Sequence, residues 1–166
     1  MAGSLSVGIA GAGIGGLATA AFLGRSGHTV EVFDQFDAPA PVGSGLVVQP
    51  VGRAVLAELG ALAEAQAQGR LLTKIQGTSV QTSGIVLAAD YGTDPAHQGL
   101  GLHRASLFSV LRDACLAQGA TLTPASTVTG RDGNRFVFEG GKRSAPFDLL
   151  IDASGSGSRL SPIEAR

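Results

Sequence analysis

A chain of 166 residues that is 44% apolar and 15% charged has ample material for a buried core, and its net charge of −1 leaves no electrostatic footprint for nucleic acid. The lone cysteine, Cys115, excludes an intrachain disulfide and a cysteine metal cluster, and suits a reduced, cytoplasmic setting. Residues 1–6 carry no basic side chain, glycines interrupt the apolar run behind them, and no apolar stretch reaches the ~18 residues of a membrane span.

In chain order, residues 5–10 are short, apolar and β-compatible, residues 11–16 form a glycine loop, and residues 17–25 repeat as a helix with Leu17, Ala20 and Ala21 on one face. Gly27 stands where a helix C′ residue is expected, and residues 29–33 alternate as a second strand closed by Asp34. A Pro/Gly-rich loop over 38–45 leads to the apolar run 46–50. Residues 51–68 read as helix interrupted at Gly60. Residues 71–90 turn to β character, with turn signals at Gln76-Gly77 and Ser83-Gly84, so a β-rich insertion of two or three strands is expected over about 71–99. A second helix spans 104–118 with the stripe Leu107, Phe108, Leu111, Ala114 and Cys115, which makes the cysteine a small core residue. Short β segments follow near 121–123, 127–130 and 135–139. Gly140-Gly141 then turns the chain toward an apolar last strand over 147–151.

The loop Gly11-Ala12-Gly13-Ile14-Gly15-Gly16 fits G-x-G-x-x-G, and its setting between an apolar strand and a helix gives the pattern its meaning. Gly11 permits the tight turn, Gly13 lets backbone approach a pyrophosphate, and Gly16 lets the helix pack close to the strand. The helix N-terminus supplies free N–H groups and a favourable dipole for phosphate. Asp34, about 20 residues beyond the loop, stands where a carboxylate accepts hydrogen bonds from a ribose diol. Glu31 is a rival, but alternation puts it on the other side of the strand from Asp34. The pattern alone leaves FAD and NAD open, since both carry an ADP half.

Further segments resemble the class A FAD-dependent monooxygenases, the single-component flavoprotein hydroxylases. Residues 41–50, PVGSGLVVQP, resemble the stretch after that family's ribose carboxylate. His103-Arg104-Ala105-Ser106-Leu107 resembles its "HRADL" helix start, and residues 148–160, DLLIDASGSGSRL, resemble its "GADG…S.vR" motif. The resemblance implies an α/β, Rossmann-like FAD/NAD(P)-binding fold with a parallel sheet and an inserted β-meander. It implies FAD as cofactor, NAD(P)H as electron donor, and hydroxylation of a small aromatic substrate with O2. By the same resemblance Arg104 reaches the FAD pyrophosphate, Val128 offers a backbone contact to adenine, and Gly155 joins Gly11, Ala12, Gly13, Ile14, Gly15, Gly16 and Asp34 at the cofactor. A cation in the first turn opposes the helix dipole, which by itself favours an anionic partner for Arg104. No partner orients His103 as a base, so it reads as structural.

Two departures qualify the expectation. Ser154 stands where the family has the aspartate that helps position FAD and NAD(P)H, and an Ala-Ser-Gly version also resembles flavin-dependent halogenases and geranylgeranyl-reductase-like flavoproteins. Family members are roughly twice as long, above the single-domain scale. The expectation is therefore one FAD-binding domain over residues 1–166, lacking the C-terminal half of the family's fold. It would be inactive alone and would meet a missing half or a second copy of itself. A residual nucleotide-binding module without catalysis is the remaining alternative. No catalytic residue can be named from the sequence, and no metal site, nucleic-acid partner or membrane span is expected.

Overall fold

The computed structural model describes residues 3–37 and 44–161. In chain order the elements are β1 (Ser6–Ala10), α1 (Ile14–Arg25), β2 (Thr29–Phe33), β3 (Gly45–Val48), α2 (Pro50–Glu58), α3 (Leu62–Ala67), β4 (Arg70–Leu72), β5 (Lys74–Thr78), β6 (Ile85–Asp90), β7 (Gly99–His103), α4 (Arg104–Ala117), β8 (Thr121–Thr123), β9 (Val128–Asp132), β10 (Arg135–Phe138) and β11 (Leu149–Asp152). They fall into two compact units, one made of the described residues up to 37 and from 111 onward, the other of residues 44–110.

The first unit is built on a four-stranded parallel sheet in the order β11-β1-β2-β8, the Rossmann-like arrangement expected. Strand β1 lies at its centre, with Val7 and Ile9 fully buried. Parallel strands must be joined by crossovers, and α1 is the crossover between β1 and β2. It buries Gly16, Leu17, Ala20 and Ala21, the small face read from the sequence. An aromatic cluster adds to this core: Phe33, Phe136 and Phe147 gather beside Ala10, and the Phe33 and Phe136 rings meet edge-on with centroids 5.7 Å apart. Gly8 makes room for it, because a Cβ there would lie 2.7 Å from the Phe147 ring. The hairpin of β9 and β10 carries Phe136 and Phe138 into this layer.

Helix α1 ends in a two-bond cap. The His28 N–H donates to the Leu23 carbonyl at 3.0 Å and the Gly27 N–H to the Gly24 carbonyl at 2.9 Å, with Gly27 at φ +85° as this cap demands. Its start differs from the sequence reading. The helix begins at Ile14 rather than 17, because Gly13 takes the N-cap position and the second half of the glycine motif winds into the first turn.

The second unit holds an antiparallel sheet in the order β3-β7-β4 and a separate β5–β6 hairpin. The helical stretch breaks at Gly60 as expected, between α2 and α3. The β-rich stretch is divided differently from a meander: β4 pairs with β7, far along the chain, and only β5 and β6 pair consecutively. Gln76-Gly77 lies inside β5 at a bulge and is not a turn, while the Ser83-Gly84 turn is present with Ser83 at φ +54°. Arg53 is buried and donates to the carbonyls of Pro95 and Gln98, which fastens the segment leading into β7. Of the 38–45 loop, residues 38–43 lie outside the described residues.

Candidate dinucleotide cleft

The carboxyl ends of β1, β2 and β11 open into a cleft of about 470 Å³ lined by Gly11, Asp34, Gln35, Val128 and the segment Ser154–Gly157 with Arg159, among others. In open α/β sheets this end of the strands is where ligands bind. The glycine turn forms the cleft through close packing. Gly11 sits at φ +102°, and a Cβ on it would stand 2.5 Å from the Ala153 carbonyl oxygen. On Gly16 a Cβ would stand 2.0 Å from the Gly11 carbonyl oxygen, so α1 touches the turn backbone to backbone. At Gly13 and Gly15 the situation reverses, since a Cβ would meet nothing within 4 Å. Two glycines thus let the turn close and two leave its outer face bare.

That bare face is the N-terminus of α1. No side chain caps it, and its first turn contains no acidic residue. Its leading N–H groups therefore keep their donor capacity and partial positive charge for an anion. Ala12, buried within the turn, directs its N–H to Asp34 Oδ2 at 2.7 Å.

Asp34 is held firmly in place. Its backbone N–H donates to the Thr123 carbonyl at 3.1 Å, its carbonyl accepts from the Ser126 N–H at 2.7 Å, and Oδ1 accepts from the Phe36 N–H at 3.0 Å. Each carboxylate oxygen retains a second lone pair for a hydroxyl donor. Glu31 lies elsewhere, accepting from Thr123 Oγ1 at 2.8 Å and lining a different cleft with Phe33 and Phe138.

The structure therefore brings Gly11, Ala12, Gly13, Ile14, Gly15, Gly16, Asp34, Val128 and Gly155 into one unit, with Val128 as the half-buried first residue of β9. Arg104 is the exposed first residue of α4 and belongs to the second unit; its assignment to the cofactor stays with the resemblance alone. Sequence reading overlooked Asp152, which closes β11 beside Ala10 and organises the segment behind it. Its signal was the repeated serine pattern after a strand-end carboxylate. Cys115 is buried as expected, and burial pushes its thiol up to about 11.

Comparison with known proteins agrees with this architecture. A domain model described as an NAD(P)-binding Rossmann-like domain matches residues 9–47. Hispidin-3-hydroxylase from Neonothopanus nambi is 30% identical over 165 residues, covering 95% of this chain and 39% of that protein. A Rhodococcus erythropolis protein provisionally named 2-heptyl-3-hydroxy-4(1H)-quinolone synthase AqdB1 is 31% identical over 152 residues, covering 91% of this chain and 39% of its own. The tetrameric form of 2-methyl-3-hydroxypyridine-5-carboxylic acid oxygenase superposes with a TM-score of 0.83 at 21% identity, over 96% of this chain and 42% of that one. The chain spans about two fifths of the length of the curated relatives it matches. In sequence the chain is similar over most of its length to part of hispidin-3-hydroxylase, and in fold to part of that oxygenase.

Proposed function

We propose that the chain is the FAD-binding portion of a flavin-dependent monooxygenase that hydroxylates a small aromatic substrate with O2 and NAD(P)H. The observation that carries this reading is the pairing of an uncapped, acid-free helix N-terminus with the Asp34 carboxylate across one turn, the Ala12 N–H bridging them at 2.7 Å. An adenine dinucleotide presents phosphate and ribose diol at that spacing. Gly13 and Gly15 leave room for the pyrophosphate, Asp34 takes the ribose hydroxyls, Val128 borders the adenine, and Gly155 closes the far side.

When bound and reduced, FAD supplies the electrons and the centre at which one oxygen atom of O2 is readied for transfer. The residues of this chain bind and orient; none is assigned a proton-transfer step. Among the described residues no helix is long and apolar enough to cross a membrane, and a cytoplasmic setting completes the proposal.

Titrating FAD into the protein and following absorbance near ~450 nm with flavin fluorescence tests the reading. Saturable binding is expected, and Asp34→Ala should raise the Kd about tenfold through loss of charge-assisted hydrogen bonds. A protein that leaves FAD free at high concentration overturns it.

A further inference from the structure

We propose that Asp152 is a positioning residue for the dinucleotide, acting through the serine-rich segment after β11; the proposal rests on the flavin reading of the same cleft. Asp152 Oδ1 accepts from the Ser154 N–H at 3.1 Å and from Ser154 Oγ, while Oδ2 accepts from Ser158 Oγ. Ser158 Oγ in turn accepts from the Leu160 N–H at 3.0 Å and the Ser161 N–H at 3.2 Å, and the Ser158 N–H donates to the Gly155 carbonyl at 3.1 Å. One carboxylate thereby gathers residues 154–161 into a single clasped turn.

That turn is a wall of the cleft. Ser154, Gly155, Ser156, Gly157 and Arg159 face the same space as Gly11 and Asp34. It is also coupled to the glycine turn without slack. The Ala153 N–H donates to the Ala10 carbonyl at 2.8 Å, and the Ala153 carbonyl occupies the place a Gly11 Cβ would need. A displacement of this segment therefore changes the width of the cleft directly. Partial burial tends to raise the Asp152 carboxyl, but the bonds from Ser154 and Ser158 outweigh it and hold the group below its ordinary range.

The arrangement also gives Ser154 a purpose. Its hydroxyl engages the strand-end carboxylate that stands two residues earlier. The charge of that carboxylate is satisfied by donors of its own segment.

The test compares FAD Kd, melting temperature and amide exchange for the wild type, Asp152→Ala, Ser154→Ala and Ser154→Thr. Asp152→Ala should raise the Kd about tenfold and speed exchange at the Leu160 and Ser161 amides. Ser154→Ala should raise it a few-fold without lowering the melting temperature, and Ser154→Thr, which keeps the hydroxyl, should restore it. Should Asp152→Ala fail to fold, the Ser154 pair decides. Wild-type flavin binding with unaltered Kd in folded variants overturns the positioning role alone; a wild type that ignores FAD removes the flavin reading and this proposal with it.

Discussion

Strands β1 and β6 are both short and apolar, yet they end in opposite environments. In β1 the last four of five residues are buried. In β6, Ile85, Val86 and Leu87 are 62%, 70% and 57% exposed. The difference lies in their neighbours. β1 has a strand on each side, the aromatic cluster beside its last residue and α1 packed against it, whereas among the described residues β6 pairs only with β5. Full burial of such a side chain contributes about 1.5–3 kcal/mol, so the two strands contribute very differently to stability. A two-stranded hairpin has little independent stability in water. Apolar sequence makes a strand; what covers it makes a core.

The largest expected effect lies at the heart of the covered region. Phe136 is 1% exposed and touches both Phe33 and Phe147, so Phe136→Ala should cost about 4 kcal/mol in urea denaturation. Gly16→Ala should come next, at about 3 kcal/mol, because the added methyl meets the Gly11 carbonyl and neither backbone can yield freely. It should abolish FAD binding along with the loss of stability, as read by fluorescence titration.

A milder perturbation of the same unit comes from pH. The folded Cys115 thiol titrates at about 11 against an ordinary 9.0. Between those values the unfolded chain holds fewer protons than the folded one. The Cys115 contribution is thus intact below pH 9 and declines as pH rises toward 11. Denaturation midpoints should fall across that window in the wild type and fall less in Cys115→Ala. The smallest effect belongs to the exposed hairpin, where Leu87→Lys should change stability by no more than about 0.5 kcal/mol. A loss rivalling that of Phe136→Ala would mean that β6 is covered in solution and would erase the contrast between the two strands.

What could be read in the sequence divides along the same line. The unit β1-α1-β2 was legible because its signals are local: alternation in residues 29–33, Gly27 as the cap, and glycines where backbone approaches backbone. The pairing of β4 with β7 was not, since nothing in three residues announces a partner about thirty positions away. Val110 escaped the helical stripe although it is buried, because periodicity describes the helix and not what packs around it. At the cleft, the placement of Asp34 followed from strand length and alternation. The work of Asp152 did not, because it depends on how a serine turn folds back on its own carboxylate.

The register of β11 against β1 has a bearing on how the chain reaches this state. Ser6 donates through its N–H and its hydroxyl to Asp148, a contact spanning 142 residues. Asp148 is held below its ordinary carboxyl range chiefly by the Ser6 N–H. Strand β1, paired with β2, acquires its second neighbour β11 only once residue 152 has been made. Closing so wide an interval late is entropically slow, so until translation has passed β11 the nascent chain carries its central strand half-paired, a period in which chaperone engagement would be most consequential.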